Sequence, residues 1–110
     1  MQKRPVRFLI RMHEGIDEGT AREALLDLSA EITLLDRTFL RWLFGRTDQA
    51  TFESLFKARI DFRELFDIET AEGTRTVSDW YEISPPEVPE KLEHLFDLVD
   101  LETDERIERR

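Results

Sequence analysis

The fold is decided by residues 47–101, TDQATFESLFKARIDFRELFDIETAEGTRTVSDWYEISPPEVPEKLEHLFDLVDL. The stretch opens with an amphipathic segment whose apolar positions include Phe52 and Phe56, which predicts a helix capped by the residues just before it. Two alternating apolar and polar runs follow, at residues 59–68 and 74–83, separated by an acidic turn. Alternating runs across a short turn predict an antiparallel hairpin.

Prolines mark the end of the hairpin. Pro85, Pro86 and Pro89 cannot lie in a central strand, so this segment is a connector. Pro89 suits the first turn of a helix. The next apolar side chains follow helical spacing, and they are Leu92, Leu95, Phe96 and Val99. The spacing predicts an amphipathic C-terminal helix, followed by a charged tail.

The first half of the chain adds a strand and a helix. Residues 5–12 alternate between an apolar face and a face that carries arginine, which predicts a strand. Thr20 with Glu23 three residues later forms a capping-box pattern, so a helix is expected to begin at Thr20.

Residues 32–44 are rich in β-branched and aromatic side chains, which favours a strand with a bulge or break near Asp36. A helix over residues 37–44 is the alternative. Gly45 and Arg46 are expected to form a turn before the second helix, which Thr47 or Asp48 would cap.

Together these elements predict one α+β domain over residues 1–101, with a charged tail at residues 102–110. The order β-α-β-α-β-β-α suits an antiparallel sheet with helices on one face. It is close to a ferredoxin-like split βαβ plan, with one hairpin and an extra C-terminal helix.

The charge composition points to a protein partner. The 110 residues carry 16 basic and 25 acidic side chains, a net charge of −9. Such a chain repels phosphate backbones, so we expect no nucleic-acid partner. The local cluster of Arg4, Arg7 and Arg11 is interpreted as a solvated strand face, with a phosphate site as the alternative.

The expected compartment of the protein is inferred from three features that the sequence lacks. There is no cysteine, which excludes disulfides and thiolate catalysis. No segment approaches the ~20 apolar residues of a membrane span. The start, with only a short apolar run interrupted by Arg7, does not fit a signal peptide. We therefore expect a cytoplasmic protein without membrane contact.

Catalytic patterns are weak throughout. His13 and His94 lie in different segments without metal-ligand spacing, so no metal or other cofactor is expected. No serine stands in a nucleophile-elbow motif. Asp61 and Asp79 could face each other across the hairpin, but flanking arginines favour ordinary cross-strand ion pairs. The sequence predicts a protein that is not an enzyme.

Trp80 is the aromatic residue with the most open interpretation. Val77, Tyr81 and Ile83 occupy the other face of its strand. If that other face is the core, Trp80 is left for a partner, and exposed tryptophan is enriched at binding hot spots. Burial of Trp80 in the core is nevertheless the favoured interpretation, and contact with a partner is the alternative.

Residues 47–101 resemble the N-terminal activation propeptides of subtilisin-like and sedolisin-type serine peptidases, of the pro-kumamolisin kind. The resemblance covers about half of the chain. It rests on a helix ending in phenylalanine, a strand, a hairpin aromatic, a P-x-x-x-P-x-x-L connector and a V-x-L end. The matching residues here are Phe52, Phe56, Ile60, Tyr81, Pro85, Pro89, Leu92, Val99 and Leu101. Asp100 stands where the family pattern has glycine.

The resemblance implies a ferredoxin-like fold that packs a sheet face on a serine protease and assists its folding, with its C-terminal tail in the substrate cleft. Because no protease domain follows, we expect an inhibitor or folding chaperone acting in trans. The expected partner-binding residues are Trp80, Asp100, Leu101, Glu102, Thr103, Asp104, Glu105 and Arg106. The alternative is an adaptor or assembly module that binds another protein or itself, as a homo-oligomer, through a sheet face or edge.

Overall fold

Two helices and six strands make up the part of the chain that the computed structural model describes, which is residues 4–102 apart from the side chains of Leu65 and Asp79. In chain order the elements are β1 Pro5–Met12, α1 Glu18–Leu28, β2 Thr33–Phe39, β3 Trp42–Asp48, α2 Gln49–Leu55, β4 Arg59–Thr70, β5 Gly73–Ser84, a 3-10 turn Glu90–Leu92 and β6 Phe96–Leu101.

The strands form two antiparallel sheets, so the predicted α+β class is confirmed. A four-stranded sheet has the order β2-β3-β1-β6, and β4 pairs only with β5 in a separate two-stranded ribbon. β1 therefore lies at the centre of the larger sheet, between β3 and β6. The two segments that contain helices connect β1 to β2 and β3 to the ribbon.

One face of the four-stranded sheet builds the core. Alternate residues of β1 are buried against the helices, and they are Val6, Phe8, Ile10 and Met12. Ala21 and Leu25 of α1 belong to the same cluster. Phe8, Phe52 and Phe56 are fully buried, with ring centroids 5.0 to 5.7 Å apart. Tilted aromatic contacts at this spacing stabilise the packing beyond the area that they bury.

An aspartate caps each helix. The Asp17 side chain accepts a hydrogen bond from the Thr20 amide, so the N-cap of α1 lies three residues before Thr20, the cap that the capping-box pattern predicted. The prediction was wrong because Asp17 is itself an N-cap residue, and Thr20 lies in the first turn. Asp48 caps α2 by accepting from the Thr51 amide, as one of the two expected candidates.

The predicted C-terminal helix is wrong. A single 3-10 turn ends at Leu92, and residues 96–101 form β6 antiparallel to β1. The register shifts between Arg11 and Met12, where Asp97 is an extra residue on β6. This bulge turns both Phe96 and Val99 inward although they are three residues apart. A strand with a bulge therefore carries the same apolar spacing as a helix.

The predicted turn at Gly45 and Arg46 is also wrong, because both residues lie inside β3. The chain turns instead at Leu40 and Arg41, where Leu40 has a positive φ of 56°. Gly45 stands opposite Phe8, and a Cβ atom at this position would lie 2.5 Å from the Phe8 ring. Glycine is needed here for close approach. The break expected near Asp36 is confirmed as a bulge between Leu34 and Thr38.

The hairpin of β4 and β5 is confirmed, and its base packs against the core. Ile60 lies in the core cluster, and the Phe62 and Trp80 rings stack 5.1 Å apart. Residues 64–78, which we call the arm, continue beyond this base. The described side chains of the arm are exposed or half-buried except that of Val77.

Candidate protein-binding surface

The face of the four-stranded sheet opposite the core, which we call the open face, combines aromatic and arginine side chains. Strand alternation points Arg7, Leu9 and Arg11 of β1 to this face, since their neighbours are buried in the core. The register brings Trp42 and Phe44 of β3 beside them. None of these side chains is buried. The described helices leave this face uncovered.

The open face is ordered in three rows that cross the sheet. The first row runs through Phe39, Trp42, Arg11 and Leu98. The second row contains Phe44, Leu9 and Asp100. The third row contains Thr33, Arg46 and Arg7. Apolar side chains therefore make up most of the first two rows, and arginines make up most of the third row.

Arginines lie on both aromatic rings of β3. The Arg11 guanidinium is 5.6 Å from the Trp42 ring centroid, and that of Arg37 is 4.2 Å from the Phe44 centroid. Arg11 Nε also donates to Asp97 Oδ1 at 2.7 Å. This hydrogen bond holds the pKa of Asp97 below its ordinary value. Such stacking and pairing hold flexible arginines in fixed positions on the sheet.

An ion pair crosses the open face. Arg37 Nη2 of β2 donates to Glu102 Oε1 at 3.3 Å, although β2 and β6 lie at opposite edges of the sheet. The Glu102 amide donates to the Arg7 carbonyl at 2.9 Å, so the chain follows β1 one residue past β6. Glu102 Oε2 is buried without a hydrogen-bond partner among the described residues. Glu102, the last described residue, therefore lies beside the open face.

The residues at the end of the chain that were expected to bind a partner do not lie on one surface. Asp100 and Glu102 lie on or beside the open face. Leu101 does not extend into a tail, because it pairs with Phe8 and its side chain is only 8% exposed. The remaining expected tail residues, Thr103, Asp104, Glu105 and Arg106, lie outside the described residues.

Trp80 lies at the base of the hairpin rather than on the open face. Its ring stacks on Phe62, packs against the core and is half-buried. The Arg4 guanidinium covers the other member of this pair, 4.0 Å from the Phe62 centroid. Trp80 therefore joins the ribbon to the domain, and any contact that it makes with a partner would come in addition to that role.

The hairpin also meets the last strand through two carboxyl groups. Burial, and then a hydrogen bond with the Asp100 side chain, raise the pKa of Glu82 above its ordinary value. A raised pKa means that the folded state binds this proton more tightly than the unfolded chain does. The stability contributed by protonated Glu82 is therefore lost as the pH rises through its raised folded-state pKa.

Replacing Glu82 with glutamine is expected to remove this loss. At neutral pH, Glu82→Gln should raise the free energy of unfolding by a few tenths of a kcal/mol, since it relieves like charges side by side at about 0.2–1 kcal/mol. Below about pH 4, where wild-type Glu82 is protonated, the difference should vanish. Urea denaturation at both pH values measures this, with Glu72→Gln at the hairpin turn as control. A gain that is equal at both pH values would contradict the assignment.

The candidate catalytic groups are dispersed. His13 contacts the Glu93 carbonyl through Nε2 at 2.7 Å, while His94 is exposed next to the 3-10 turn. Asp61 pairs with Tyr81 across the hairpin, and Asp79 pairs with Arg63, so the two aspartates do not stand opposite each other. Within residues 4–102 no three His, Asp or Glu side chains are grouped so that they could hold a metal ion.

The open face was missed from the sequence, although a signal for it was present. The sequence interpretation of a solvated strand face covers Arg4, Arg7 and Arg11, and it leaves out Leu9, which lies between the last two. The matching alternation of Trp42, Phe44 and Arg46 was interrupted by the turn expected at Gly45. Extending β3 through Gly45 would have placed two arginine-bearing strands side by side.

Known proteins offer no relative of this chain for comparison. No protein-family model, curated protein or solved structure matches this chain. In the described part of the chain, neither helix has the length and apolar character needed to cross a membrane.

Proposed function

We propose that this chain is a non-enzymatic protein-binding module that engages its partner with the open face of its four-stranded sheet. One observation carries the proposal: Trp42, Phe44 and Leu9 lie together, half-exposed, on the sheet face away from both helices, with arginines beside them. Tryptophan and arginine are the residue types most enriched among binding hot spots. Protein interfaces are also enriched in aromatic and arginine side chains relative to the rest of the surface.

A protein partner fits the face better than a nucleic acid does. Asp97, Asp100 and Glu102 stand among the arginines, and two of these carboxylates already pair with Arg11 or Arg37. A phosphate backbone would have to approach these carboxylates in a chain whose net charge is −9. A protein surface can satisfy both signs of charge at once.

Ferredoxin-like topology is part of the proposal. It is supported by the chain order β1-α1-β2-β3-α2 followed by a last strand, β6, which pairs with β1 at the sheet edge. Both helices contribute to the core on one face of that sheet. In this interpretation the ribbon of β4 and β5 is an insertion between the second helix and the last strand.

The partner that we propose is a subtilisin-type serine protease, which the chain would inhibit or help to fold in trans. Support comes from the resemblance of residues 47–101 to activation propeptides and from the position of Glu102. The chain leaves β6 at Glu102 beside the open face, so a face bound to a protease would deliver the following residues to the same partner. An extended segment of this kind can bind a substrate cleft by strand addition.

Titration against a subtilisin-type protease tests this proposal. We expect the full chain to form a complex on a sizing column and to inhibit peptide hydrolysis. A chain ending at Glu102 retains every described element, so it should still form the complex but inhibit less. Truncation at Val99 would be uninformative because it removes Leu101 from the core. Absence of both complex and inhibition with the full chain would overturn the protease assignment.

A second candidate function, binding of another protein or of a second copy through a sheet face or edge, is favoured by the ribbon. β4 and β5 have no other strand neighbours among the described residues, so each has an unpaired outer edge. Such edges are ready templates for association. Complex formation with a non-protease partner or self-association would support this candidate.

A further inference from the structure

We propose that the arm of one copy docks on the open face of a second copy, and that the second arm does the same in return, giving a symmetric dimer. This inference rests on the proposed function in one respect, which is the use of the open face as the binding surface. When no other partner is bound, the arm of a second copy occupies the open face.

The arm is built to be stabilised by contact with another surface. Residues 64–78 extend beyond the Phe62–Trp80 contact, and an isolated two-stranded ribbon is only marginally stable in water. Phe66 is 38% exposed on the arm and pairs with Val77 across the ribbon. Phe66 is therefore the exposed apolar side chain of the arm that would lose contact with water on docking, whereas Val77 is already buried.

Charge complementarity identifies the surface that receives the arm. The arm carries four carboxylates and one arginine, namely Glu64, Asp67, Glu69, Glu72 and Arg75. The open face presents the opposite balance, with four arginines and three carboxylates in a chain of net charge −9. Thr76 and Thr74 donate to Asp67 and Glu69, which holds these two carboxylates in place near the tip.

The dimensions of the two surfaces agree. Seven residues of one strand, from Glu64 to Thr70, extend about 20 Å, and four strands are about 14 Å across from first to last. The arm can therefore cross the open face completely. A two-fold axis repeats the same contact, since each copy contributes one arm and one face.

A charge-swap experiment tests the proposal with the full chain. In sedimentation equilibrium at low salt, the wild-type chain should have twice the monomer mass. The arm variant Glu69→Lys/Glu72→Lys and the face variant Arg7→Glu/Arg46→Glu should each weaken dimerisation by about a hundredfold or more, because like charges then meet. An equimolar mixture of the two variants should restore the dimer, since both of its contacts pair opposite charges.

Two controls keep the outcome decisive. Glu14→Lys/Glu23→Lys makes the same charge change at exposed positions outside the arm and should leave the dimer intact. Circular dichroism should show the same fold for all four chains, because every substituted side chain is exposed. A wild-type monomer at high concentration, dimers that survive the single reversals, or a mixture that stays monomeric would each overturn the proposal.

The same experiment separates this inference from the proposed function. A chain that is monomeric but binds a protease through its open face would refute the arm docking and leave the proposed function in place. If the mixture of the two variants restores the dimer but the wild-type chain binds no protease, the arm docking is supported and the protease assignment is refuted.

Discussion

The variant Phe52→Ala should lose about 3–5 kcal/mol of the free energy of unfolding, the largest single loss that we expect. Phe52 of α2 is fully buried, with ring centroids 5.7 Å from Phe8 and 5.0 Å from Phe56. Removing its ring leaves a cavity where a strand, a helix and the segment after that helix meet. The two remaining rings cannot close the cavity without moving α2 or the sheet.

A matched control is the same substitution at Phe39, whose side chain is 65% exposed on β2. Phe39→Ala should change the free energy of unfolding by only about 0.5 kcal/mol. Urea denaturation of both variants, with unchanged m-values, measures the difference. Equal losses for the two variants would contradict the core assignment.

Gly45→Ala is expected to cost about 3 kcal/mol, because it places a methyl group into a filled space. The added Cβ would lie 2.5 Å from Phe8 Cζ, and this ring is held in place by Phe52 and Phe56. Alanine would otherwise improve a strand, since glycine weakens strands by its backbone freedom. A destabilising result therefore reports the collision and not strand propensity.

The double variant Gly45→Ala/Phe8→Leu tests that explanation. Leucine at position 8 has no ring atom at the point of collision, so the two losses should sum to more than the measured loss of the double variant. An interaction energy of about 1 kcal/mol or more in the urea-denaturation cycle is expected. Additive losses would show that Gly45 is needed for a reason other than contact with Phe8.

Local patterns predicted much of the fold, and long-range pairing decided the rest. Strand alternation identified β1 and the hairpin because each strand is regular over most of its length. The helix predicted over the last strand is wrong because the bulge at Asp97 gives Phe96 and Val99 a spacing that a helix also produces. A strand is favoured over a helix here because β1 offers a free edge with which β6 can pair. The sequence of residues 96–101 does not contain that information.

The candidate surface was harder to predict from the sequence than the fold was. Arg7 and Arg11 belong to β1, and Trp42 and Phe44 belong to β3, about thirty residues away in the chain. They form one face only because β1 and β3 are neighbours, and that pairing depends on Gly45 leaving room for Phe8. The same glycine was interpreted as a turn residue. The feature that misled the prediction is therefore the one that assembles the face.

The most direct test of the account is the affinity of an open-face variant for the protein partner. Trp42→Ala/Arg46→Ala should weaken binding of a subtilisin-type protease by about tenfold or more, since each substitution removes a hot-spot residue type. The control Leu26→Ala/Arg59→Ala removes one exposed apolar and one exposed arginine side chain away from this face, and should bind as the wild type does. Equal affinity of both variants and the wild type, measured by calorimetry on folded chains, would contradict the assignment of the open face as the binding surface.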